Sequence, residues 1–272
     1  MATATTITAT MRITAMVDRA PQVAARPDED AAGLIAIVNA MGDGPSTRVP
    51  TSILPVLIWL SPAFPVGSFA YNHALEWAVH TGAITNLATA TAWLRDLMAH
   101  GGPRNDCIVL AAAWRAAKIE DSDALAEAND LALALAGSRE RYLETTAQGN
   151  AFATAIATAW SSTGVKPTHG LTGDVAYPVA IAAATAAHDM ALSPVLEAFG
   201  LAAIANLSSA LVRLNVIGQS DGQRLIAALL SDVFALAADA GTSNLDDTGG
   251  CAFHSDIASL KHEMQTFRVY RT

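Results

Sequence analysis

The sequence predicts an all-α protein, a single bundle-like domain of about nine to ten helices behind a low-complexity N-terminal extension. Three observations predict it. Apolar residues make up 52% of the 272 and aromatics only 6%, so alanine carries much of the apolar count. Alanine loses no side-chain entropy on entering a helix and is the strongest helix former. Runs such as Leu131-Ala-Leu-Ala-Leu-Ala136 and Ala180-Ile-Ala-Ala-Ala-Thr-Ala-Ala187 read as close-packed helices, and β-branched alternation is scarce outside the first 15 residues.

Residues 1–50 differ from the rest. They are rich in Thr and Ala, then carry Pro21 and Pro27-Asp-Glu-Asp30, then Gly42-Asp-Gly-Pro45. Such a composition buries little apolar surface, so the extension is expected to be mostly disordered, with Ala31 to Met41 as one marginal helix. Arg12 and Arg19 are few for a transit peptide, and Met11, Met16 or Met41 could be the start. The helical domain, 51–272, begins near Ser52. In Trp59-Leu-Ser-Pro-Ala-Phe-Pro-Val-Gly-Ser68 the two prolines fix φ and restrict their neighbours, which predicts a stiff extended loop. Ser68 suits the N-cap of a helix to about His80, ended by Gly82. Further helices are expected at about 86–100, stopped by Gly101-Gly-Pro103, then at 105–118, 121–135, 138–161, 174–190, 194–217, 220–240 and 253–266. Ser193-Pro194 reads as a start with serine as N-cap. Short connections imply antiparallel neighbours.

The net charge of −9 argues against nucleic acid as a partner, because phosphate binding needs a basic stripe. Cys107 and Cys251 form no CxxC and no Cys/His cluster, which fits a reducing cytoplasm and gives no zinc site. No transmembrane segment stands out. Thr145 to Val165 is uncharged but interrupted by polar residues, and Ala198 to Val212 is too short. There is no GxxxxGK[ST], no GxGxxG after a strand, no GxSxG and no HExxH, so the expectation is a non-enzyme without a cofactor of its own.

Three places carry chemistry. His73, Glu76 and His80, at i, i+3 and i+7, would share a face of the expected 68–80 helix. Two imidazoles and a carboxylate suit Ni²⁺ or Zn²⁺, but seven residues span about 10 Å, so a solvated or interface-forming polar face is the competing reading. Gly218-Gln-Ser-Asp-Gly-Gln223 breaks two alanine-rich helices and reads either as an ordinary turn or as a functional one. The C-terminus has an apolar stripe, Phe253, Ile257, Leu260 and Met264, at spacings of 4, 3 and 4. It ends in Phe267, Arg268, Tyr270 and Arg271, aromatic and cationic on an acidic protein. Arg and Tyr often anchor interfaces, so this end is either packed back on its own domain or offered to a partner.

At these residues the chain resembles the urease accessory protein F family (UreF). Leu60-Ser-Pro-Ala-Phe-Pro-Val-Gly-Ser-Phe-Ala-Tyr71 with Leu75-Glu76 is similar to the family's entry block. Asn206-Leu-Ser-Ser-Ala-Leu-Val-Arg-Leu214 with Gly218-Gln219 and Gly222-Gln223 is the second block. Asp256-Ile-Ala-Ser-Leu-Lys-His-Glu-Met-Gln265 with Arg268 and Arg271 is the third. Ser138-Arg-Glu-Arg141, Gln148-Gly149 and Ala176-Tyr-Pro-Val-Ala180 support it. Asn72, Ala74, Lys261, Val269, Tyr270 and Thr272 depart mildly from the pattern, and Ala74 stands where the family has glycine. The resemblance implies an all-α, usually dimeric scaffold of nickel-urease maturation, binding UreD (also called UreH), the GTPase UreG and the urease apoprotein. It implies that nickel and GTP are handled by the partners. It also implies a UreD-facing set in the 260–272 tail, Lys261, His262, Glu263, Gln265, Arg268, Tyr270 and Arg271, and a UreG-facing set, Pro65, Gly67, Tyr71 and Glu76.

Overall fold

Alanine-rich, capped segments do fold as helices. The structure, a computed structural model, describes residues 52–160, 171–266 and 268–270. The expectations for residues 1–50, including a helix at Ala31 to Met41, lie outside the described residues. Among those described there are ten α-helices and no strand. They are α1 (Leu54–Trp59), α2 (Leu75–His80), α3 (Leu87–His100), α4 (Gly102–Lys118), α5 (Ser122–Ala134), α6 (Arg139–Ala159), α7 (Tyr177–Ala187), α8 (Leu192–Arg213), α9 (Gln219–Thr242) and α10 (Phe253–His262). Single 3-10 turns occupy Ser68–Ala70 and Leu245–Asp247.

Local chemistry sets most boundaries. Asn86 caps α3 reciprocally: its side chain accepts from the Thr89 amide, and Thr89 Oγ1 accepts from the Asn86 amide. Asp121 and Ser138 cap α5 and α6 in the same direction. Three boundaries differ from expectation. Gly101 alone separates α3 from α4, because Pro103 sits in the first turn of α4, where its missing N–H has no cost. Pro55 likewise begins α1, a helix just before the proline-rich segment. Ser193 is not an N-cap, since α8 starts at Leu192 after Ala191.

The largest correction is at residues 68–80. No continuous helix runs there. Ser68 makes no side-chain cap, and the 3-10 turn gives way at Tyr71. His73 (φ 50°) and Ala74 (φ 59°) are both left-handed, and α2 begins only at Leu75.

The core forms around α4, which packs against α3, α5, α7, α8 and α9. From Pro178 to Ala186, α7 is buried on every side, because alanine's small side chain lets helices approach closely. Helices α8 and α9 are long and apolar enough to cross a membrane by length and composition, yet they pack on each other, and Leu196, Leu207, Leu211, Leu225 and Leu229 lie in the core. α10 rests on α2, at one end of the chain fold where α6 also begins.

Candidate functional site

The C-terminal segment brings together residues that are far apart in the sequence. Helix α10 is amphipathic in the reverse of the usual sense. Its inward face is Ser255, Ala258 and His262, all buried. Its outward face is the apolar stripe: Phe253 is 69% exposed, Ile257 50%, Leu260 53% and Met264 83%. The stripe faces solvent. Of the two readings of the terminus, packed back on its own domain or offered to a partner, the described residues 268–270 follow the first.

Polar contacts hold this arrangement. Ser259 Oγ bonds Ser138 Oγ at 2.7 Å. Glu263 Oε1 accepts from the amides of Arg139 (2.8 Å) and Glu140 (3.4 Å), so a carboxylate sits on the positive end of α6. His262 is fully buried, with Nδ1 2.7 Å from Glu140 Oε2 and Nε2 3.4 Å from Glu76 Oε2. Arg268 donates to Glu140 Oε1. The amides of Val269 and Tyr270 donate to the Glu76 carboxylate, Val269 at 2.8 Å to Oε1 and Tyr270 at 3.1 Å to Oε2. The Tyr270 ring lies under the Arg213 guanidinium, 4.9 Å from its centroid, and its hydroxyl reaches the Ala210 carbonyl on α8.

A second charged group adjoins the first. Arg141, one residue along α6 from Glu140, bridges Glu144 (2.6 Å) and Asp106 (3.1 Å), and His73 Nε2 lies 3.6 Å from Glu144. Burial drives the His73 imidazole down to about 4, Glu144 resists this and Arg141 adds to it. Burial would raise Glu144, but the charges of Arg141 and His73 and hydrogen bonds from Arg141 and Gln148 hold it below the usual carboxylate range. Asp106 is raised, burial outweighing Arg141. His73 and Arg141 line two cavities. One, of about 180 Å³, is walled by Phe199, Ala202, Ala203 and Asn206. The other, of about 260 Å³, is walled by Gly101, Gly102, Gly249 and Gly250.

The sequence-predicted residues divide accordingly. His73, Glu76 and His80 do not share a helix face, because the left-handed break puts His73 ahead of α2. His73 turns to Glu144, Glu76 is buried under the tail, and His80 is exposed at the far end of α2. Among the described residues no three His, Cys, Asp or Glu side chains are placed to hold one metal ion. Of the tail set, Lys261 and Arg268 are exposed and Gln265 is half-buried. His262 and Tyr270 are buried in their own domain and Glu263 is used as a cap, so none of these three offers its side chain outward. Arg271 and Phe267 lie outside the described residues. In the other set Pro65 is exposed and Gly67 half-buried with φ 71°. Tyr71 and Glu76 are interior, 5% and 7% exposed. Phe69, 61% exposed and unremarked in the sequence, presents far more surface than Tyr71 or Glu76. Glu140 was also missed as a site residue. Its signals are its place in Ser138-Arg-Glu-Arg141, one of the pieces that support the resemblance, and the charged run Arg139-Glu-Arg-Tyr-Leu-Glu144 in a chain with 15% charged residues.

The Gly218–Gln223 segment forms the start of α9, and Gly222 allows a close crossing: the Ser208 hydroxyl donates to its carbonyl at 3.1 Å, and Cβ at that position would meet Ser208 and Val212. This is a packing turn.

Comparison with known proteins agrees on one family. A family model described as UreF matches residues 84–230. The urease accessory protein UreF of Xanthobacter autotrophicus is 47% identical over 235 residues, covering 86% of this chain and 97% of its own. That of Methylobacterium radiotolerans is 47% identical over 220 residues, covering 80% and 96%. That of Rhodopseudomonas palustris strain BisA53 is 45% identical over 228 residues, covering 84% and 96%.

Proposed function

The chain belongs to the UreF family of urease accessory proteins, and on that premise we propose that it is a non-catalytic scaffold in the maturation of nickel urease. It docks UreD/UreH and, through that complex, sets the GTPase UreG on the urease apoprotein and regulates GTP-dependent nickel insertion. Nickel and GTP are held by the partners. The work is cytoplasmic, with neither nucleic acid nor membrane as partner. The observation that carries the reading is the outward apolar stripe of α10, Phe253, Ile257, Leu260 and Met264, flanked by Lys261 and Arg268. A contiguous apolar stripe over polar buried residues marks a protein interface. UreD is its proposed occupant.

A second apolar face supports the homodimer. Leu54, Leu57 and Ile58, at i, i+3 and i+4 on α1, are each more than half exposed. We assign this face to a second copy of the chain.

The test is co-purification with UreD. Deleting residues 260–272, or replacing Ile257 with Asp in the full chain, is expected to abolish the complex. A complex formed at full strength by both variants overturns the assignment of this face. Sedimentation of Leu57→Asp tests the dimer, and an unchanged dimer overturns that assignment.

A further inference from the structure

Helix α10 poses a physical problem. Its two faces obey the same helical period, Ser255–Ala258–His262 inward and Phe253–Ile257–Leu260–Met264 outward. The hydrophobic effect acting alone would turn the apolar face in. Something on the inner side must favour the polar face more strongly.

The inner side contains two carboxylates. Glu76 is 7% exposed and Glu140 5%, and they come from different helices, α2 and α6. Among the described residues, the side-chain oxygens of both are bonded from the C-terminal segment. Glu76 is met by His262 Nε2 and the amides of Val269 and Tyr270. Glu140 is met by His262 Nδ1 and Arg268. A buried carboxylate without partners is strongly unfavourable, so the bundle carries two buried carboxylates whose bonding, among the described residues, comes from the docked tail. His262 is the central piece, because each of its ring nitrogens faces one of the two carboxylates.

We infer that Glu76 and Glu140 are positioning residues that latch the C-terminal segment and thereby hold α10 with its apolar stripe outward, so that the docking face exists only while the latch is closed. The link to docking rests on the function proposed above; the latch itself does not. Both carboxylates lie in the interior. They act through His262, Arg268 and the backbone of 269–270. Glu76 thus has a role different from the partner-facing one that its place in the sequence suggested.

The experiment uses the full chain. Glu76→Gln with Glu140→Gln keeps shape and removes both charges. Val269→Pro is a second variant that leaves the bundle untouched and deletes one tail amide donor. Ile257→Asp spoils the outward stripe without touching the latch. Amide hydrogen exchange is read across residues 253–270 and, as reference, across α4, α7 and α8, and each variant is titrated with UreD. The expected result is at least tenfold faster exchange in 253–270 for the double variant and for Val269→Pro, with reference helices unchanged, and at least tenfold weaker UreD binding. Ile257→Asp is expected to lose UreD with exchange unchanged. Wild-type protection of 253–270 in both latch variants overturns the latch, whatever happens to UreD. Faster exchange with undiminished UreD binding overturns the claim that the latch presents the face. Undiminished binding by Ile257→Asp instead sinks the docking reading and leaves the latch standing.

Discussion

At Gly149 the segment before α7 lies directly against the backbone of α6. A Cβ there would lie 1.9 Å from the Val175 carbonyl oxygen, 2.8 Å from the Ala176 carbonyl carbon and 2.9 Å from the Tyr177 nitrogen. All three are backbone atoms, so no rotamer change relieves the clash, and Gly149→Ala must push residues 174–177 off the helix. Three of the hydrogen bonds that hold that segment run from its own amides: Val175 N to Asn150 Oδ1 (3.0 Å), Ala176 N to Asn129 Oδ1 (2.9 Å) and Tyr177 N to Thr145 Oγ1 (3.1 Å). At about 1 kcal/mol each they amount to roughly 3 kcal/mol. Alanine in a helix interior returns about 1 kcal/mol relative to glycine. Loosened packing of the buried Val175 and Ala176 adds to the loss. The net is a destabilisation of about 2–3 kcal/mol, or a Tm lowered by roughly 4–12 °C for a domain of this size. Thermal unfolding followed by circular dichroism at 222 nm measures it. Gly137→Ala is the control, because a Cβ there meets nothing within 4 Å and Tm should barely change. A Gly149→Ala protein that melts with the wild type refutes the close-approach argument.

Ala74 holds a left-handed backbone, φ 59°, at a cost of about 1–2 kcal/mol relative to glycine. Ala74→Gly recovers that and loses about 0.8 kcal/mol of methyl burial, so urea unfolding should show a gain of up to about 1 kcal/mol; a loss contradicts the strain. His73 titrates near 4 in the folded chain against 6.5 in the unfolded, chiefly through burial. The unfolded chain therefore binds more protons between these values, and stability falls as pH drops from about 6.5 to about 4, by up to roughly 3 kcal/mol. His73→Asn, which tolerates the left-handed φ of 50°, should flatten that part of the stability–pH curve, and an unchanged curve removes His73 as its source. Ile257→Asp, on an exposed position, should leave Tm within about 2 °C of wild type, and a larger fall means that Ile257 supports the fold itself.

The helices were legible because their causes are local. Asn86 and Ser138 cap where serine and asparagine suit a helix start, and alanine density marks α7 and α8. The break at His73–Ala74 had one signal, that Ala74 stands where the family has glycine, the residue that takes φ > 0 freely; neither His nor Ala is itself a breaker, and around the left-handed turn Tyr71, Ala74 and Leu75 all reach the core. That one break dissolved the His73–Glu76–His80 face, because i, i+3, i+7 arithmetic holds only along an unbroken helix. The apolar stripe of α10 was read correctly as a stripe, but period does not say which face turns inward. That is decided by Glu76 and Glu140, 186 and 122 residues from His262 in the chain.

Magnitudes show why the inverted helix is tenable. Fully burying an apolar side chain stabilises by about 1.5–3 kcal/mol, so turning these four side chains, 50–83% exposed, inward would gain roughly two-thirds of that each, about 4–8 kcal/mol together. Charge-assisted hydrogen bonds contribute about 1.5 kcal/mol apiece at the low end. Arg268 and one ring N–H of His262 on Glu140, with two amides on Glu76, make four, or roughly 6 kcal/mol. The two sums are close. The latch holds the apolar face out with little to spare, and the burial that α10 forgoes in the free protein is what a partner recovers on covering Phe253, Ile257, Leu260 and Met264. A modest loss at Glu76 or Glu140 should therefore tip the helix, which is why Gln, which keeps the shape of Glu but removes the charge and turns one acceptor oxygen into a donor, is a severe enough substitution to decide the matter.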